Sequence, residues 1–124
     1  MGVVYTARMK PKSVSALVYK VPDMEKTLNW YEGLGFKVAK NEEGRLATVY
    51  VNWFSIEFHL VNETDDSPKD GPLVLVSVDL HEFYDAAIKA GYQPEYEPQN
   101  TVNGRREFAL RDPNGYLMVF FEKK

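Results

Sequence analysis

The stretch that decides the fold is residues 18–36, VYKVPDMEKTLNWYE over Val18–Glu32 and then Gly33-Leu34-Gly35-Phe36. It opens inside Ser13–Val21, where Leu17, Tyr19 and Val21 alternate with Ala16, Val18 and Lys20. That is the period of a strand with one face committed to a core. Pro22-Asp23 stops the strand. Asp23 is then placed to cap a helix that carries Met24, Leu28 and Tyr31 on one stripe, and Gly33 and Gly35 end it.

Working outward, Phe36–Lys40 predicts a short strand, Asn41-Glu42-Glu43-Gly44 a hairpin turn, and Arg45–Val51 a second strand. Asn52-Trp53 is a tight connection to a fourth strand, Phe54–Val61. Asn62–Gly71, with its acids, Ser67 and Pro68, is the candidate linker. The pattern then restarts with a strand at Pro72–Asp79. Asp79 and Glu82 have capping-box spacing before a helix at Leu80–Ala90 that buries Phe83, Ala87 and Ala90 or a neighbouring stripe. Gly91 ends that helix, and Tyr92–Glu97 is a strand. Pro98–Gly104 is a loop, Arg105–Arg111 a strand, Asp112-Pro113-Asn114-Gly115 a turn, and Tyr116–Glu122 the last strand. Ala16 falls opposite Leu73 at an offset of 57 and Gly35 opposite Gly91 at 56, so the chain is an internal repeat. The fold expected is α+β, two βαβββ modules forming a half-open, eight-stranded, barrel-like sheet. The first module spans 13–62, a linker 63–71 and the second module 72–124; residues 1–12 are an N-terminal arm or an extra edge strand.

With 124 residues, 44% hydrophobic and 27% charged, the chain has the composition of one globular domain, or of two small modules sharing a core. The absence of cysteine excludes disulfides and thiolate metal sites and agrees with a cytoplasmic location. No apolar run is long enough to span a membrane or to act as a signal peptide. Arg8, Lys10 and Lys12 sit in the arm, so removing their three charges from the whole-chain −3 leaves −6 on the rest. An acidic body without a basic stripe argues against a nucleic-acid partner.

Strand parity divides the side chains between two faces. Leu17, Tyr19, Val21, Ile56, Phe58, Leu60, Val74, Val76, Val78, Met118 and Phe120 form the set expected under the helices, each contributing on the order of 1.5–3 kcal/mol before entropy. The opposite face carries Ala16, Val18, Lys20, Ser55, Glu57, His59, Leu73, Leu75, Ser77, Leu117, Val119 and Phe121. Apolar walls with a few polar groups are how small-molecule clefts are lined.

Residues 18–36 together with Arg106–Glu122 (REFALRDPNGYLMVFFE) resemble the vicinal-oxygen-chelate superfamily of glyoxalases, bleomycin-resistance proteins and extradiol dioxygenases, and the resemblance covers nearly all of 13–122. It implies paired modules around a ligand cleft, often completed between two chains. Metal-dependent members place one ligand each in the first, fourth, fifth and eighth strands. Carried over, those positions are Ala16, Glu57, Leu73 and Val119, of which only Glu57 can bind a divalent ion. The resemblance is therefore closest to the metal-free bleomycin-resistance branch, which sequesters a drug between two protomers. That branch has an aromatic just ahead of its Arg-Glu-Phe. Here Asn103-Gly104-Arg105 stand there, which points to another planar or amphipathic molecule rather than bleomycin.

The expected function is thus a metal-free, cofactor-free protein that sequesters an antibiotic or metabolite, as a homodimer. The alternative is a glyoxalase-like lyase, isomerase or dioxygenase with displaced ligands. The expected cleft comprises Ala16, Lys20, Trp53, Ser55, Glu57, His59, Leu73, Leu75, Glu107, Val119 and Phe121. An apolar wall with one acid suits a neutral or cationic amphipathic ligand. Glu57 is read as a carboxylate paired with Lys20 or His59, against the sharper reading of a desolvated base. Trp53 and Phe54 either line the cleft mouth or a dimer seam, or simply pack. Trp30 and Tyr31 are read as core and interface, His81 as exposed, and Asp112–Gly115 as a turn without chemistry.

Overall fold

A computed structural model describes residues 9–40, 43–62 and 73–123. The start of the arm, the first half of the Asn41–Gly44 turn and the linker 63–71 lie outside the described residues. In chain order the elements are β1 (Leu17–Val21), α1 (Met24–Gly33), β2 (Lys37–Lys40), β3 (Leu46–Val51), β4 (Phe54–Leu60), β5 (Val74–Ser77), α2 (Leu80–Lys89), β6 (Pro94–Asn100), β7 (Arg105–Arg111) and β8 (Leu117–Lys123). The eight strands form two four-stranded sheets, ordered β1-β4-β3-β2 and β5-β8-β7-β6, and neither closes on itself. In each module the first strand runs parallel to the last, and the others form antiparallel hairpins.

The helices are bounded as their sequences require. Asp23 Oδ1 accepts from the Lys26 backbone N–H at 3.0 Å, and Thr27 Oγ1 donates to Asp23 O at 2.8 Å. Both helices end in the same six-residue closure. Gly35 N donates to Glu32 O and Phe36 N to Tyr31 O, as Gly91 N does to Ile88 O and Tyr92 N to Ala87 O. This is a Schellman turn, and it needs the left-handed φ of 99° at Gly35 and 96° at Gly91. Because Tyr92 is spent on that turn, the following strand starts at Pro94 rather than at Tyr92. It runs on to Asn100 through the expected loop. Two prolines are tolerated there because β6 is an edge strand with register shifts along it.

Two element boundaries differ from those expected. The first strand begins at Leu17, not Ser13: Leu17 pairs with Ile56, and ahead of that pair the Ser55 hydroxyl donates to the Ser15 carbonyl at 2.9 Å, a side-chain bond in place of the backbone ladder. Asp79 makes no side-chain cap to α2. Glu122 of β8 does this instead, its Oε1 accepting from Leu80 N at 2.8 Å. The buried positions of α2 are Leu80 and Ala87, with Phe83 half-buried and Ala90 exposed, because the helix stops at Lys89.

The parity sets hold. Tyr19, Val21, Ile56, Phe58, Val74, Met118 and Phe120 are buried, and with Leu28, Tyr31 and Phe108 they form one hydrophobic cluster across both modules. A polar knot crosses the same seam. Tyr31 Oη donates to Asp112 Oδ2 at 2.6 Å, Asn114 Nδ2 donates to Thr27 Oγ1 at 3.1 Å, and the backbone N–H groups of Asn114 and Tyr116 donate to Asp112 Oδ1 at 2.8 and 2.9 Å. Burial pushes the Asp112 carboxyl up against these donors, which pull it down. The Tyr31 phenol is held well above its ordinary range by burial first and then by the Asp112 charge. Tyr19 stacks on Tyr116 with ring centroids 3.9 Å apart, yet among the described residues its buried hydroxyl has no partner, and burial raises its pKa to about 12.

These two tyrosines should respond oppositely to loss of the hydroxyl. Tyr31→Phe removes a buried hydrogen bond to a carboxylate and should cost about 1.5–3 kcal/mol in urea denaturation, whereas Tyr19→Phe removes an unsatisfied hydroxyl and should be neutral or stabilising. A Tyr19→Phe loss as large as that of Tyr31→Phe would show that the hydroxyl assignments are wrong.

Candidate functional site

On the first sheet, the face turned away from α1 is built by register. Val18 lies opposite Glu57 and Lys20 opposite His59, while Thr48 and Tyr50 of β3 lie opposite Glu57 and Ser55. Glu57 Oε2 is 3.7 Å from His59 Nε2, so the acid is paired within its own strand, to the second of its two expected partners. Both side chains are only partly exposed, which keeps the pair at the edge of water.

On the second sheet, Leu75 lies opposite Val119, Ser77 opposite Phe121, and Glu107 opposite Phe121 from the other side. Val119 is buried, whereas Leu73 is 55% and Leu75 45% exposed. Tyr96 Oη donates to Glu107 Oε2 at 2.6 Å, and the Arg105 guanidinium carbon stands 5.0 Å from the centre of the Phe121 ring. The Tyr96 phenol is pushed well above its ordinary range, first by burial and then by the Glu107 carboxylate it bonds. The second patch thus offers an aromatic ring capped by a cation beside a hydrogen-bonded carboxylate.

The expected residues therefore fall into two patches. Lys20, Ser55, Glu57 and His59, with Ala16 just ahead of β1, lie together on the first sheet. Leu73, just ahead of β5, goes with Leu75, Glu107, Val119 and Phe121 on the second. Trp53 is set apart, 95% exposed at the tip of the β3–β4 hairpin, beside Asn52 with its φ of 55°. Val18, 51% exposed, adds an apolar group to the first patch. Thr48, Tyr50 and Arg105 were legible by extending the parity across β3 and β7. Tyr96 was not, because the irregular register of β6 sets its facing. His81 is exposed as expected and pairs with Asp85 one helical turn on, at 3.3 Å.

A metal fits this face poorly. The four positions named above supply Ala16, Glu57, Leu73 and Val119, and the residues beside them in register, Val18 and Leu75, are apolar too. Among the described residues no three His, Asp or Glu side chains come together as a metal site. No helix there is long and apolar enough to cross a membrane.

The model of the glyoxalase/bleomycin resistance protein/dioxygenase superfamily matches residues 13–120. No curated protein matches the chain. Among solved structures, a glyoxalase/dioxygenase from Nostoc punctiforme superposes with a TM-score of 0.76 at 13% identity, covering 100% of this chain and 98% of its own. The bleomycin resistance determinant encoded on transposon Tn5 gives 0.74 at 21% identity, covering 91% of this chain and 99% of that one. A bleomycin-binding protein complexed with bleomycin gives 0.72 at 21%, covering 91% and 100%. At these identities the likeness establishes the fold.

The Tyr96–Glu107 contact carries its own test. A carboxylate that accepts the phenol proton opposes its loss, so Glu107→Gln should bring one tyrosine into the ultraviolet alkaline titration at a lower pH than in the parent. Tyr96→Phe should delete that transition. An unchanged titration curve in Glu107→Gln would mean that burial alone holds the phenol up.

Proposed function

The chain belongs to the glyoxalase/bleomycin resistance protein/dioxygenase superfamily, and we propose that within it this protein is a metal-free small-molecule binder that sequesters an antibiotic or metabolite. The observation that carries the reading is the replacement of three of the four ligand positions by Ala16, Leu73 and Val119. Harder cations want about six oxygens and a catalytic zinc about three protein ligands. Glu57 and His59 offer two groups on one strand, so no step of a mechanism is routed through a metal. Two proteins of the same fold are described by bleomycin binding or bleomycin resistance, which supports a small-molecule ligand.

The cleft we propose consists of the two sheet patches, closed by a second copy of the chain. Val18, Leu73 and Leu75 stand about half exposed in the single chain. Apolar side chains left in water on both sheets are unfavourable, and a two-fold partner would cover both patches at once. The ligand is neutral or cationic and amphipathic: apolar contacts come from Val18, Leu75 and Phe121, and polarity from Glu57. The second reading, a lyase, isomerase or dioxygenase with displaced ligands, is favoured only by the Glu57–His59 pair, a carboxylate and an imidazole in reach of one another.

Elemental analysis of untagged, chelator-washed protein separates the two readings. Well below one divalent ion per chain is expected, and one tightly held zinc, nickel or iron would overturn the proposal. Light scattering at micromolar concentration should report a dimer. In a calorimetric screen, Glu57→Gln should weaken a cationic amphipathic ligand by about 1–3 kcal/mol if the contact is buried. Tight binding of polyanions that ignores this substitution would show that the cleft has been misassigned.

A further inference from the structure

A cavity of about 610 Å³ opens on the helix side of the molecule, where the two modules meet, and none of the cleft residues above lines it. Its walls come from α1, from the turn that ends α2, and from the end of β7. Trp30 and Tyr92 stand edge to face, with centroids 5.5 Å apart and planes at 72°. Tyr92 Oη donates to Trp30 O at 2.7 Å, and a Cβ on Gly33 would collide with that hydroxyl, so only glycine lets the two rings take this position. The aromatic corner is therefore fixed before any ligand arrives, which lowers the ordering cost of binding.

The charges in this cavity have one sign. Among the described residues Lys26 and Arg111 line it and no carboxylate does, in a chain whose net charge is −3. Arg111 precedes the turn that holds Tyr31 through Asp112, and Lys26 sits on α1 beside Thr27, which Asn114 of that turn bonds. Among the described residues Lys26 pairs with no acid, whereas Arg111 is partly neutralised by Glu95 Oε1 at 3.1 Å and bonds Gly115 O at 2.8 Å. The C-terminal ends of α1 and α2 also reach the wall, at Gly33 and Gly91, and their dipoles disfavour negative charge, so any anion held here relies on Lys26 and Arg111 and a second charge is opposed further.

We propose that this seam is a second small-molecule site, distinct from the cleft, that takes a planar aromatic monoanion such as an arylcarboxylate. The ring lies against Trp30 and Tyr92, and the charge lies at Lys26 with Arg111. The volume is in the range of about 300–1,000 Å³ that small-molecule sites occupy. One free ammonium balances one carboxylate, whereas a phosphate dianion would leave charge uncompensated beside two helix C-termini.

The probe is 2-naphthoate, with 2-naphthamide as its neutral isostere, added to protein carrying Trp53→Phe so that Trp30 is the only tryptophan. Saturable quenching of Trp30 is expected at one site per chain, with the amide binding about threefold to tenfold more weakly. Lys26→Gln should weaken naphthoate by the same factor and leave the amide unchanged, and added salt should do likewise. Glu57→Gln should change neither, which separates this site from the cleft. Equal binding of acid and amide, indifference to Lys26→Gln, loss of binding in Glu57→Gln, or no saturation at millimolar probe would each overturn the proposal.

Discussion

The seam between the modules depends on one buried carboxylate. Asp112 sits in a tight turn of the second module, yet its strongest side-chain partner is Tyr31 of α1, 81 positions earlier in the chain. Without that partner the carboxylate would face a hydrophobic cluster with only its own turn to satisfy it, and desolvation would dominate. With it, two copies of a small motif that could each bury little surface share one core. The stacked Tyr19 and Tyr116 rings and the Tyr92 hydroxyl on Trp30 cross the same seam beside this bond.

Most of the fold was legible because the repeat states each rule twice. The alternation around Tyr19 and Phe58, and again around Val74 and Phe120, assigns the same face to the core in both modules. Gly35-Phe36 and Gly91-Tyr92 mark the same helix closure. The misreadings share a cause. Asp79 has the right spacing to cap α2, but the nearer acceptor comes from Glu122, which no local pattern reveals. The start of β1 is likewise marked by a contact from β4, the Ser55 hydroxyl on Ser15 O, and the extent of β6 by its place at a sheet edge. Each is decided by a partner distant in sequence.

The site was less legible. Parity gave the faces of Glu57, His59, Leu75 and Phe121 correctly, because strands impose a strict two-residue period. It was silent on Tyr96, whose direction comes from an irregular register, and it treated Asp112 as a turn residue alone. The seam cavity left no periodic trace. Lys26 and Trp30 stand one turn apart on α1, but Tyr92 and Arg111 come from two other segments, and only the packing of one module on the other brings the three together.

The capping of α2 by β8 has a bearing on how the protein is made. The N-terminus of this helix is satisfied by a side chain 42 residues further along, on a strand that is also the parallel partner of β5. A ribosome delivers β5 and α2 well before that strand exists. During this interval β5 lacks its neighbour, as β1 lacks β4 in the first module, and in addition the helix lacks its cap. Satisfying both carries a loop-closure cost that local hairpins do not. The first module, whose helix is capped by the adjacent Asp23, has its helix start secured at once and so offers a preformed surface for that late closure.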